Sequence, residues 1–124
     1  MTTPQELIER VDALLPAIAD RRRYVTEHGM IHPDTLRECE ESEIMKLLIP
    51  KKYGGFEMGV DTMQEIVRRI SSSCMSTGWI MAFFVGHNWM VTRFNEQTQD
   101  DVFKNNLAPK VPGQIRPTIG AKKV

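Results

Sequence analysis

The chain has 124 residues, and sixteen Lys and Arg balance sixteen Asp and Glu, so its formal net charge is zero. This balance excludes the plainest class of nucleic-acid-binding protein, which carries a basic excess over one face. The 41% hydrophobic and 26% charged residues are typical of one globular domain and exclude wholesale disorder. Two cysteines, Cys39 and Cys74, are too few for a disulfide scaffold and lack zinc-site spacing. Residues 1–12 are acidic and amphipathic, so we expect no secretory signal and a cytoplasmic location.

One uncharged stretch raises the question of a membrane span. Residues 70–92 hold no Lys, Arg, Asp or Glu, a run of 23 residues. Serines open this stretch, and His87 and Asn88 interrupt its apolar part. Because such polar groups are costly in lipid, we predict a helix inside a soluble protein and no membrane partner.

The first helix is predicted from a capping box, with Thr3 as cap and Glu6 as its partner. Apolar residues then recur at helical spacing at Leu7, Val11, Leu14 and Ile18. Pro16 predicts a kink or a break near residues 12–13. Arginines 21–23 suit the negative end of this helix, and a phosphate-binding basic patch is the alternative.

Two more helices follow. Pro33 is expected to begin the second, and the apolar residues 44–50 are expected to be buried. Residues 51–55 read as a tight loop, because their glycine pair can adopt positive φ. Asp61 is predicted to cap the third helix, with Gln64 completing the capping box.

The serines at 71–73 are expected to break the third helix before a fourth over residues 77–92. That helix is apolar on nearly every face, which predicts a central position with cover on all sides. Asn95 is predicted to cap a short fifth helix that ends near Lys104, and its Asp100–Asp101 pair is expected to be solvated. The prediction is an all-α domain of five helices over residues 1–106. Residues 107–124, with three prolines and β-branched residues, are predicted to be extended.

Only one of the three histidines stands out as a site residue. His28 and His32 are four apart, but the intervening glycine and the following proline favour surface loops over a metal pair, and we expect no metal site. His87 lies inside the uncharged helix and is followed by Asn88 and Trp89, three polar-capable side chains in a row. Neither a phosphate loop nor a nucleophile motif occurs, so we expect no complete active site.

Several segments together resemble a known family. Residues 49–55, Ile-Pro-Lys-Lys-Tyr-Gly-Gly, followed by Asp61, resemble the amino-terminal helical domain of the acyl-CoA dehydrogenase fold. Residues 73–79 and 86–89 are similar to one branch of it, the flavin-dependent aromatic monooxygenases. These are the oxygenase components of two-component systems such as hydroxyphenylacetate and steroid hydroxylases. The resemblance covers about residues 15–106.

The resemblance implies a function for the complete protein. It implies the substrate-side domain of an enzyme that hydroxylates a phenolic substrate with oxygen and reduced flavin, FMN or FAD, from a separate reductase. It also implies a homo-oligomer. His87 matches the histidine that contacts the substrate hydroxyl in the phenol hydroxylases of this branch, and Asn88 lies beside it. Trp79 and Trp89 are candidate walls of an aromatic pocket, with core packing as the alternative.

The chain also departs from the family pattern. Family members are much longer and hold flavin between a β domain and a carboxy-terminal helical bundle, so residues 107–124 would only begin that β domain. We therefore expect a fragment or a truncated product, with no catalytic residue in this segment and no flavin bound by it alone. Two alternatives stay open: an acyl-CoA dehydrogenase that uses FAD and a downstream glutamate, and a non-catalytic helical interaction module.

Overall fold

The computed structural model describes residues 1–106 and 109–113 of the chain. Within these ranges the protein contains six α-helices and no strand, which confirms the all-α prediction. The helices are α1 (Pro4–Asp20), α2 (Arg22–His28), α3 (Pro33–Glu41), α4 (Val60–Ser73), α5 (Met75–Val91) and α6 (Glu96–Phe103). Single 3-10 turns at Ile44–Lys46 and Lys51–Tyr53 lie between α3 and α4.

Helix α1 begins as predicted and ends differently. Both bonds of the capping box are present, from the Glu6 amide to the Thr3 hydroxyl and from the Thr3 amide to the Glu6 carboxylate. The helix continues through Pro16 to Asp20, so it is not divided near residues 12–13, and the alternative of a kink there stays a prediction. An interior proline costs about 3 kcal/mol, whereas burying each large apolar side chain contributes about 1.5–3 kcal/mol. The stripe that outweighs the proline consists of the buried residues Leu7, Val11 and Ile18.

The chain changes direction at Arg21, between α1 and α2. Its guanidinium donates to both carboxylate oxygens of Glu38, at 2.7 and 2.9 Å, and to the Thr35 hydroxyl at 3.1 Å. This bidentate bond holds the pKa of Glu38 below its usual value. Arg23 donates a single bond to Glu27, at 2.7 Å. Carboxylates thus occupy two of the three arginines in the alternative phosphate patch.

The glycine pair after the second 3-10 turn is required by backbone geometry. Gly54 adopts a φ of 81°, in the left-handed region. A Cβ on Gly55 would lie 2.0 Å from the carbonyl oxygen of Ile49, so a side chain has no room there. The loop places the buried ring of Tyr53 against α6, where its hydroxyl donates to Asp100 at 2.7 Å. Of the pair predicted to be solvated, Asp101 is exposed, whereas Asp100 is half-buried and bonded to Tyr53.

Helix α4 begins and ends at unexpected residues. Gly59 occupies the cap position, and Asp61 lies inside the first turn without a capping bond to any residue that the structure describes. The capping box with Gln64 is therefore wrong. The Asp61 carboxylate still stabilises the helix, because it lies in the first turn, near the positive end of the helix dipole. The predicted break is confirmed at Cys74, whose extended backbone joins α4 to α5.

Helix α5 lies against α4 at a close crossing. A Cβ on Gly78 would lie only 2.0 Å from Ser71 Oγ and 2.9 Å from Ser71 Cα, so the missing side chain allows the two helices to approach. The buried residues of α5 are Thr77, Gly78, Met81, Val85, Asn88 and Val91. Its large exposed residues are Met75, Trp79, Trp89 and Met90. The prediction that α5 is covered on every side is wrong for the described chain. The elements packed on α5 cover the side of its buried residues and leave the side of its exposed residues open.

Only part of the predicted extended segment can be compared with the structure. Residues 109–113 form neither helix nor strand and lie beside α5. The rest of the segment 107–124 lies outside the described residues. In the described part of the chain, no helix is both long and apolar enough to cross a membrane.

The crossing of α4 and α5 predicts different effects for two glycines of the same helix. Gly78→Ala should lower the free energy of unfolding by about 1–3 kcal/mol, because the new methyl group overlaps Ser71. Gly86→Ala is the matched control, since its Cβ would meet only the Met63 methyl at an ordinary 3.6 Å. The control should be neutral or stabilising by up to about 1 kcal/mol. Urea unfolding measures both values, and equal stabilities would contradict this packing.

Candidate functional site

Three rings form a row along the open side of α5. Trp79, Phe83 and His87 are spaced four residues apart, so they share one face of the helix. The Trp79 and Phe83 ring centroids are 4.9 Å apart, and Phe83 presents its ring to His87 edge-to-face at 5.2 Å. The half-buried His87 is thereby held on one side by an aromatic ring.

A backbone carbonyl holds His87 on another side. The ring nitrogen Nδ1 lies 2.7 Å from the carbonyl oxygen of Val111. The second nitrogen, Nε2, has no hydrogen-bond partner among residues 1–106 and 109–113. Among the residues that the structure describes, His87 therefore has one ring nitrogen engaged by the protein and one without a partner.

The first pocket beside His87 has a volume of about 240 Å³. Its walls are His87, Met90, Val91, Phe94, Val111, Pro112 and Gly113. The imidazole is the only polar side chain among these residues. This volume lies just below the range of about 300–1,000 Å³ common for small-molecule sites, which fits a ligand with a single ring.

A shallower groove of about 290 Å³ lies along α5 on the other side of the same histidine. It is lined by Ala82, Phe83, Gly86, His87, Trp89 and Met90. His87 and Met90 therefore form a wall shared by the two concavities. The site as a whole is an apolar, aromatic surface with one imidazole at its centre.

The four predicted site residues do not all meet. His87 and Trp89 line the groove, and Trp79, which is 64% exposed, adjoins His87 only through Phe83. Asn88 faces the other way: it is fully buried and donates to the carbonyl of Met45 at 3.1 Å. Its Oδ1 has no partner within the described part of the chain. A substrate contact of Asn88 stays a prediction and gains no support from this placement.

Sequence reasoning missed five of the residues around His87. For Phe83 a signal existed, since it lies midway between Trp79 and His87 at helical spacing. Phe94 follows α5 directly, in a turn bonded to Val91, so its place was within reach of local reasoning. For residues 111–113 there was no signal, because tertiary packing alone brings this segment to α5.

The other candidate groups have structural surroundings. His28 stacks on Tyr24 with ring centroids 3.9 Å apart, and His32 caps α3 by accepting from the Asp34 amide at 3.1 Å. The described residues contain no cluster of three or more potential metal ligands. Burial raises the pKa of the Cys39 thiol to about 12, which makes it unreactive.

Comparison with known proteins agrees with this fold. Residues 5–109 match the family described as the acyl-CoA dehydrogenase N-terminal domain. The chain belongs to this family.

Its relatives in the acyl-CoA dehydrogenase family include several hydroxylases. A pigment production hydroxylase of a Rhodococcus species is 39% identical over 98% of this chain and 32% of its own length. The oxygenase subunit HsaA of a flavin-dependent monooxygenase from Rhodococcus jostii is 32% identical over 94% of this chain and 30% of its own length. The chain thus spans about a third of the length of these relatives.

A solved structure gives the same result in three dimensions. The HsaA monooxygenase of Mycobacterium tuberculosis superposes with a TM-score of 0.83 and 27% identity, covering 86% of this chain and 29% of that protein. XiaF from a Streptomyces species, solved with FADH2 and glycerol, superposes with a TM-score of 0.81 and 31% identity, covering 86% of this chain and 27% of that protein.

The open face of α5 predicts concentration-dependent self-association of the 124-residue chain. Exposed apolar patches of this kind drive association in water. Trp79→Lys should shift the mass measured by light scattering toward the monomer, because it places a charge on that face. Met30→Lys is the control, since Met30 is similarly exposed, at 56%, on the connection after α2. A chain that is monomeric at every concentration, or equal shifts in both variants, would contradict this prediction.

Proposed function

We propose that the chain forms the substrate-side domain of a flavin-dependent monooxygenase that hydroxylates a phenolic substrate. The observation that carries the proposal is His87, an imidazole beside apolar and aromatic walls whose Nε2 has no hydrogen-bond partner in the described part of the chain. The names of the relatives, hydroxylases and oxygenase subunits, support the same class of reaction.

The open nitrogen has a chemical use in such a reaction. In the uncharged ring, Nε2 accepts a hydrogen bond from a phenolic O–H. This bond shifts electron density from oxygen into the aromatic ring and favours the phenolate. An electron-rich ring is the better nucleophile toward an electrophilic oxygen atom, so His87 activates the substrate rather than the oxygen.

The walls of the site define the rest of the substrate. Met90, Val91 and Phe94 are apolar walls that can bury an aromatic ring, and Phe83 holds the His87 ring from the neighbouring groove. A charged substituent here would lose its hydration without a partner, which is costly. The expected substrate is therefore an uncharged aromatic ring whose hydroxyl group reaches His87.

We propose that the two concavities beside His87 hold the substrate and not the flavin. FMN and FAD carry phosphate groups, which proteins hold with basic side chains or backbone amide groups at helix starts. In the part of the chain that the structure describes, neither concavity beside His87 is lined by Lys or Arg. We therefore assign these residues to the substrate and derive no flavin step from them.

Partners complete the proposal. A separate reductase would supply reduced FMN or FAD, as the relatives' designation as oxygenase subunits or components supports. The exposed apolar residues of α5 support the proposal that another protein surface covers this face, either from a longer chain or from a second copy in a homo-oligomer. The proposed location is the cytoplasm.

His87→Asn tests the proposal in the complete oxygenase supplied with reduced flavin. Asparagine can keep a donor near Val111 while removing the acceptor at Nε2. Product formation should fall about ten- to a hundredfold, the effect of losing a hydrogen bond to a partly charged group. More of the consumed oxygen should appear as hydrogen peroxide, which a coupled peroxidase assay measures against product.

His28→Asn is the control, because His28 lies on the exposed end of α2 and away from both concavities. It should leave the ratio of product to peroxide unchanged. A well-folded His87→Asn enzyme with unchanged coupling would show that His87 serves only the packing of the domain.

A further inference from the structure

Residues 109–113, which we call the strap, are fastened at three points. Pro109 is buried, and Lys110 forms an ion pair with Glu40 at the end of α3. Val111 packs against the apolar cluster of Ile49, Tyr53, Val91 and Phe103. These contacts link the strap to the 3-10 region, α3, α5 and α6, so its position beside His87 is set by the domain.

The strap determines which ring nitrogen of His87 carries the proton. The carbonyl of Val111 can only accept a hydrogen bond, and it lies 2.7 Å from Nδ1. Nδ1 must therefore be the N–H nitrogen. In the uncharged ring this leaves Nε2 as a pure acceptor.

The next residue of the strap lies along the same ring edge. A Cβ on Gly113 would be 2.6 Å from His87 Cε1 and 2.8 Å from Nε2, closer than real Cβ contacts. The backbone φ of Gly113 is not in the left-handed region, so alanine is excluded by the imidazole and not by backbone strain. The missing side chain lets the strap approach close enough to make the Val111 bond.

We infer that the strap is the positioning element of His87: it fixes the Nδ1–H tautomer and so makes the site select ligands that donate a hydrogen bond. This selectivity rests on the proposed function, whereas the tautomer does not. A phenol would be preferred over its methyl ether, because the ether has no proton for Nε2.

The chain contains an internal contrast for this inference. His32 uses Nδ1 as an acceptor for the Asp34 amide, at 3.1 Å, and must therefore carry its proton on Nε2. Two histidines of one protein are thus expected in opposite tautomers, because one Nδ1 faces an acceptor and the other a donor.

Magic-angle-spinning NMR of the sedimented chain, labelled with ¹⁵N in its histidine rings, measures the tautomers even if the chain associates. At alkaline pH, His87 should show a protonated Nδ1 and an unprotonated Nε2, and His32 the reverse. Loss of one signal set in His87→Asn assigns His87, and loss of another in His32→Asn assigns His32. A protonated Nε2 on His87 in the unaltered chain would overturn the inference.

Gly113→Ala should release the strap from the ring, so that an Nε2–H population of His87 appears. Should Gly113→Ala fail to fold, Glu40→Gln loosens the Lys110 anchor instead. Its control is Glu41→Gln, since Glu41 pairs with Arg37 on the exposed side of the same helix. An unchanged His87 tautomer in Gly113→Ala, or in Glu40→Gln if the first variant does not fold, would overturn the inference.

Ligand selectivity separates the inference from the proposed function. In the complete oxygenase, the ratio of the dissociation constants for the methyl ether and the phenol should fall about two- to tenfold in Gly113→Ala, the effect of one hydrogen bond. If the tautomer of His87 shifts in Gly113→Ala while the ratio of the two dissociation constants stays the same, the inferred selectivity for hydrogen-bond donors is overturned. An unaltered enzyme that binds both ligands equally would overturn the proposed phenol contact and leave the tautomer assignment standing.

Discussion

Helix α5 is apolar around its circumference, while the elements packed on it cover one side. Helix α4 and the first 3-10 region lie on the side of Gly78, Met81 and Val85. The approach of α4 depends on a glycine at position 78, which brings the two backbones too close for any side chain. Because that side forms the core, the rings at Trp79, Phe83 and His87 face the other way. The candidate site is the uncovered half of the same helix.

The ion pairs around α5 contribute more to how the neighbouring helices align than to the stability of the domain. Arg69 joins α4 to Asp12 of α1 at 2.6 Å and also bonds Glu65, whose pKa is lowered to about 2 by Arg68 and Arg69. Partly exposed pairs of this kind contribute about 0–1 kcal/mol each. The positions of the paired residues instead specify how α1 and α4 align. The pair of Lys110 with Glu40 plays the same part for the strap.

Local sequence signals predicted the features that depend on local geometry. The capping box at Thr3 and the break after the serines were confirmed, because each involves neighbours along the chain. The division of α1 near residues 12–13 and the cap at Asp61 were wrong, since burial of the α1 stripe offsets the cost of Pro16 and Gly59 takes the cap position of α4. His87 was selected because a polar group stood in an apolar helix.

The remaining parts of the site could not be predicted from spacing. Val111 and Gly113 reach His87 only after α3, α5 and α6 have packed, and their segment carries no motif. Asn88 was grouped with His87 by proximity in sequence, but successive helical residues face different directions, so its substrate contact gains no support from its bond to Met45 and stays a prediction. Helical spacing of four from His87, applied consistently, would have selected Phe83 in its place.

The most direct test of the site is the crystal structure of the complete protein with a bound phenol. The phenolic oxygen should lie about 3 Å from His87 Nε2, with Val111 still bonded to Nδ1 and the ligand ring against Met90. A phenol bound elsewhere, with its hydroxyl group out of reach of His87, would contradict the assignment of this face of α5 to the substrate.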